Sequence, residues 1–84
     1  MEITKKVEEL IKDVIVENGY RLDEVLYVKE DKMNFLRVVI EKDELLTIED
    51  CVTVSKLINP ILDEADLIDE NYILDVCSKE KGCE

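Results

Sequence analysis

Met33-Asn34-Phe35-Leu36-Arg37-Val38-Val39-Ile40-Glu41-Lys42 is the stretch that decides how this chain folds. Leu36, Val38 and Ile40 alternate strictly with Phe35, Arg37, Val39 and Glu41, which is the period of two expected of a strand with one side against a core. The first set is expected to face inward and the second outward. Upstream, Leu22 to Lys29 is rich in Val, Leu and Tyr, and the polar Glu30, Asp31 and Lys32 separate it from the central run. Two apolar runs around a short polar break predict a hairpin, with Val25 and Tyr27 sharing its core face. Downstream, Tyr72, Leu74 and Val76 alternate with Ile73, Asp75 and Cys77, giving a third strand over Tyr72 to Cys77.

The segments flanking this β pattern have the longer period of helices. From Glu2 to Asn18, apolar Ile3, Val7, Leu10, Ile11, Val14 and Ile15 recur at helical spacing, and Gly19 stands where a left-handed cap is needed. Thr47 is placed to cap a second helix opened by Ile48, Glu49 and Asp50, with acids in the first turn where the helix dipole favours them. Its expected apolar stripe is Ile48, Cys51, Val52, Ser55, Ile58 and Leu62, joined by Val54, Leu57, Ile61 and Ala65. Pro60 inside that pattern predicts a kink near Asn59 or a fresh last turn. The resulting order is α-β-β-α-β: an α+β, two-layer sandwich with two helices on one face of a three-stranded sheet. One domain over residues 1–78 and a frayed tail over 79–84 account for the whole length.

Composition narrows the function classes. The 84 residues carry 22 acids against 11 bases, a net charge of −11, and no histidine. Loss of histidine removes the side chain most used for proton transfer near neutral pH, so no enzyme is expected and no cofactor is implied. A strongly negative field repels phosphate backbones, so direct RNA binding is disfavoured, while a basic protein is attracted. Cys51, Cys77 and Cys83 are an odd count without CxxC spacing, and no signal-like apolar run follows Met1. Both features point to a reduced, cytoplasmic setting. No stretch approaches the ~20 apolar residues that span a bilayer, so no membrane association is expected.

Two groups of residues are candidate contact surfaces. From Thr47 to Glu70 the chain carries Glu49, Asp50, Asp63, Glu64, Asp66, Asp69 and Glu70 against one base, Lys56. Asp63, Glu64, Asp66, Asp69 and Glu70 are the expected docking face for a basic partner, beside the plainer reading of a solvated, solubilising loop. They lack the spaced ligands and the glycine of an EF-hand, so no metal site is assigned. Leu26, Val28, Phe35, Val39 and Ile73, with Cys77, fall on the sheet face that two helices on the other side leave bare. Gathered together they would form an apolar patch suited to self-association, and a homodimer is the expectation that follows. Cys51 reads as core filling; Cys77 and Cys83 could pair or hold a metal, but in a reduced setting they read as a chance occurrence. Tyr72 reads as a core aromatic with one wet end.

Taken in order, Val7-Glu8-Glu9-Leu10-Ile11, Asn18-Gly19-Tyr20-Arg21-Leu22, Val25-Leu26-Tyr27-Val28-Lys29-Glu30, Leu36 to Lys42, Thr47-Ile48-Glu49-Asp50-Cys51, Val54-Ser55 and Tyr72 to Ser78 resemble the N-terminal domain of the bacterial ribosome maturation factor RimP. The resemblance implies helices on one face of a small sheet, and a role in maturation of the small ribosomal subunit without catalysis. It also implies a partner: a basic ribosomal protein of the small subunit, the one numbered twelve, or a pre-ribosomal particle. Members of that family follow the last strand with Pro-Gly and a second, Sm-like domain, whereas here Cys77-Ser78 runs into Lys79-Glu80 and the sequence stops at Glu84. The expectation is therefore a free-standing domain without that hinge or second domain. The alternative is a self-associating structural or regulatory module unrelated to ribosomes.

Overall fold

The computed structural model describes residues 2–79 and builds five elements in the order α1 (Glu2–Glu17), β1 (Arg21–Glu30), β2 (Met33–Glu41), α2 (Ile48–Ala65) and β3 (Ile73–Ser78). β2 is the central strand, antiparallel to β1 and parallel to β3. Chain connectivity explains the mixture. A hairpin joins antiparallel neighbours, but a parallel neighbour needs a crossover, which here is α2. Across the sheet Leu36 lies opposite Tyr27 and Leu74, and Val38 opposite Val25 and Val76. These residues form the inner face, with α1 packed on β1, α2 packed on β3, and the helices against each other. Val7, Ile11 and Ile15 of α1 and Val54, Ile58 and Leu62 of α2 close the core over Leu36, Val38 and Ile40.

The turns follow from local chemistry. Gly19 adopts φ +90° after α1, its N–H donating to the Val16 carbonyl and that of Tyr20 to the Ile15 carbonyl. This is the Schellman arrangement, and it brings Tyr20 and Ile15 into the same core. Asp31 and Lys32 both take positive φ, 49° and 68°, as a two-residue type I′ hairpin turn requires. Between Leu22 and Glu24 the register shifts, leaving Asp23 as an extra residue. The bulge lets both Leu22 and Val25 pack against the core although a regular strand would put them on opposite faces.

Three expectations need correction. The stripe assigned to α2 was centred too far round the helix: Ile48 is 80% and Val52 46% exposed, while the buried set is Val54, Ile58 and Leu62. In a two-layer fold α2 meets α1 on one flank and the sheet below, and its other flank overhangs the outer edge of β3, where Ile48 and Val52 lie. Of the two alternatives at Pro60 the fresh last turn is not found, because one helix runs through it from Ile48 to Ala65. Pro60 is exposed, so the carbonyl its missing N–H leaves without a helical donor can be met by water. Finally, Lys79, expected to be frayed, extends the ladder: its N–H donates to the Ile40 carbonyl at 2.9 Å and its ammonium lies 3.3 Å from Asp23. The rest of the expected tail, with Cys83 and its pairing, lies outside the described residues.

Candidate partner-binding site

The crossover from β2 to β3 creates an open concavity. α2 ends at a left-handed Asp66, whose N–H bonds back to the Leu62 carbonyl, and the chain then turns past buried Ile68 into β3. Between this turn, the flank of α2 and the start of β3 lies an open groove of about 530 Å³. Asp63, Asp66, Asp69 and Glu70 line it, with Asn59 on α2 and Tyr72 on the strand side. Four of the five acids singled out in the sequence are thus brought together, while Glu64 is exposed on α2 outside the lining. Glu70 accepts a hydrogen bond from the Asn34 amide at 2.9 Å. No ion pair reaches Asp63, Asp66, Asp69 or Glu70 among the described residues.

The groove's negative potential registers on its aromatic wall. Tyr72 is half-buried and packs against the core, and burial, reinforced by Asp63 and Asp66, raises its phenol above the ordinary value. Tyr27, on the inner face of β1, is raised by burial and by Glu70, and its hydroxyl is enclosed with no hydrogen-bond partner among the described residues. Both shifts oppose adding negative charge beside charge already present. Such a surface suits ammonium or guanidinium groups. Among the described residues no three Cys, Asp or Glu side chains converge well enough to hold a metal ion.

A second polar cluster, which sequence reasoning missed, joins the opposite end of α2 to the sheet. Thr47 and Asp50 form a capping box in which the Thr47 hydroxyl accepts from the Asp50 N–H at 3.1 Å and the Asp50 carboxylate accepts from the Thr47 N–H at 2.9 Å. The same carboxylate accepts from the Tyr20 hydroxyl at 2.8 Å and lies 3.1 Å from the Lys42 ammonium, which also sits 5.6 Å from the centre of the Tyr20 ring. Hydrogen bonding from Thr47 and Tyr20, with help from Lys42, holds the Asp50 carboxyl far below its ordinary range. Thr47-x-x-Asp50 was readable as a cap. Tyr20 and Lys42 were not, because their approach depends on the turn after α1 meeting the end of β2.

Three of the separated stretches quoted above, Asn18-Gly19-Tyr20, Glu41-Lys42 and Thr47 to Asp50, therefore meet at one junction. The profile of the RimP N-terminal domain matches residues 10–79. The chain belongs to the RimP N-terminal domain family. That family is one of ribosome maturation factors, so the junction and the groove are parts of a domain used in ribosome maturation.

In this member of the RimP N-terminal domain family the bare sheet face differs from the patch expected of it. The register does put Leu26, Val28, Phe35, Val39, Ile73 and Cys77 on that face. Only Leu26 and Ile73 are exposed, however; Val28, Phe35 and Val39 are half-buried and Cys77 is buried. Arg37 occupies the middle, 3.2 Å from Glu30 and 3.5 Å from Asp75, with its guanidinium 5.4 Å from the centre of the Phe35 ring. A paired guanidinium lying over an aromatic covers apolar surface with its own plane. The patch is divided by charge rather than continuous. Among the described residues, no helix is long and apolar enough to cross a membrane.

Proposed function

We propose that this domain serves maturation of the small ribosomal subunit by docking a basic ribosomal protein, of which the one numbered twelve is the first candidate, in the acidic groove between α2 and β3. The reading is of a cytoplasmic binding module without catalysis. One observation carries it: Asp63, Asp66 and Asp69 crowd a single open groove without an ion pair among the described residues, so their mutual repulsion is a cost that a cationic partner would relieve. RNA contact is disfavoured by the net charge of −11. Self-association through the bare sheet face has less behind it, since Arg37 and its carboxylate partners hold the middle of that face.

The test is stopped-flow association of the purified chain with purified small-subunit protein twelve across a salt series. Steered association slows by about tenfold or more as screening shortens the reach of the groove's field from ~10 Å at 0.1 M to ~3 Å at 1 M salt. Association that ignores salt, or no complex at low salt, rejects this groove as the docking face.

A further inference from the structure

Resting on that reading and deepening it, we propose that the partner enters as an extended segment that adds a fourth strand to the free edge of β3, with basic residues at one end and apolar residues at the other. The backbone supplies the first argument. Lys79 N–H bonds to the Ile40 carbonyl, so alternation along the strand turns the N–H and C=O groups of Ile73, Asp75 and Cys77 toward β2 and those of Leu74 and Val76 outward. No other strand pairs with that edge among the described residues. The opposite edge, β1, is blunted by the Asp23 bulge and carries Arg21, Glu24 and Lys29, common devices against strand addition. β3 has only Asp75 as a charge, and Asp75 faces away from the helices toward Arg37.

The side chains beside the β3 edge supply the second argument. Ile48, Val52, Ser55, Asn59, Asp63 and Asp66 follow one another at helical spacing along the flank of α2 that overhangs β3. A shallow recess of about 340 Å³ is lined by Ile48, Val52 and Val76, and the acidic groove of about 530 Å³ by Asp63, Asp66, Tyr72 and Leu74; Ser55 lines both. They form one continuous seam, acidic beside Leu74 and mainly apolar beside Val76, where Lys56 also joins the lining. A strand laid on the edge sends alternate side chains into that seam. Cationic ones match the acidic end, and apolar ones cover Ile48 and Val52, which are otherwise left in water.

The probes are the peptide Lys-Thr-Lys-Thr-Val-Thr-Val and its reverse, which offer the parallel and antiparallel pairings. Each is titrated to millimolar concentration into the isotope-labelled chain, with amide exchange read by NMR. The expected result is at least about tenfold slower exchange at Leu74 and Val76 with one of the two peptides. N-methylation of alternate peptide nitrogens should weaken that peptide about tenfold in one phase and little in the other. If both methylated phases bind as well as the parent and remain salt-sensitive, strand addition is overturned while docking by charge stands. If neither parent peptide perturbs the seam, strand addition falls, and retained salt-sensitive binding of small-subunit protein twelve would show that the docking reading survives without it. Slower exchange at Leu74 and Val76 that grows with protein concentration in the absence of peptide would assign the edge to a second copy and also overturn the proposal.

Discussion

The two ends of α2 use the same chemical group in opposite ways. At the N-terminal end the Asp50 carboxylate is engaged by the Thr47 N–H, the Tyr20 hydroxyl and the Lys42 ammonium. Beyond the C-terminal end Asp63, Asp66 and Asp69 face an open groove and meet no cation among the described residues. Charge of the first kind ties the turn after α1, the end of β2 and the start of α2 into one junction, so its loss is read in stability. Charge of the second kind has no cation beside it among the described residues, so under the docking proposal its loss should be read in recognition. Counting acids in the sequence cannot separate the two.

The contrast can be broken from the middle outward. Ile58 is fully buried and lies between the two ends of α2, so Ile58→Ala should cost about 2 to 5 kcal/mol in denaturant unfolding. A loss well under that range would mean α2 is held by its ends rather than by its buried stripe. Tyr20→Phe keeps the ring and deletes the hydroxyl that donates to Asp50, and should cost about 1.5 kcal/mol, the usual scale for a hydrogen bond to a charged group.

The same junction sets the pH dependence. Because Asp50's folded value lies below its ordinary 3.8, its contribution is complete above that pH and is lost as pH falls from there toward the folded value. Tyr20 is raised above 10.0 by burial and by Asp50, so its contribution holds below pH 10 and is lost as pH climbs through the folded value. Stability curves for Tyr20→Phe should be flatter on the alkaline limb and only partly flatter on the acid limb, where the Thr47 N–H still holds Asp50 low; an unchanged alkaline limb would remove Tyr20 as its source. The smallest effect is a control remote from both ends. Lys32→Gly relieves a side chain held at φ 68° in the hairpin turn and should add roughly 0.5 kcal/mol with no change in partner association.

Much of this was legible in residue spacing. Strict alternation in β2 fixed its inward set, and the register of β3, and of β1 beyond its Asp23 bulge, followed the same rule, because a one-residue slip would expose every apolar side chain. Thr47 and Gly19 announced their caps. The misplaced stripe of α2 shows where periodicity stops: Ile48 and Val52 are as apolar as Val54 and Ile58, and only their place in the fold, on the flank of α2 away from the buried core, decides which set meets water. Arg37 is the same lesson on the bare face. Alternation correctly turned it outward, but its pairing with Glu30 and Asp75 comes from two other strands. The acidic groove was visible as composition, and four of its five assigned members are together. Which carboxylates stay unpaired depends on where the cations of the folded chain end up.

The most direct test compares two charge-neutralised proteins in the same two assays. One carries Asp63→Asn, Asp66→Asn, Asp69→Asn and Glu70→Gln; the other carries Asp50→Asn alone. Association with small-subunit protein twelve at low salt and the denaturation midpoint are measured for each. The groove variant should associate about tenfold more slowly or worse with a midpoint that is unmoved or raised, since like charges have been removed. Asp50→Asn should associate at nearly the parent rate with a clearly lowered midpoint. A groove variant that associates as fast as the parent, or one whose slower association is matched by lost stability, would contradict the division of labour between the two ends of α2.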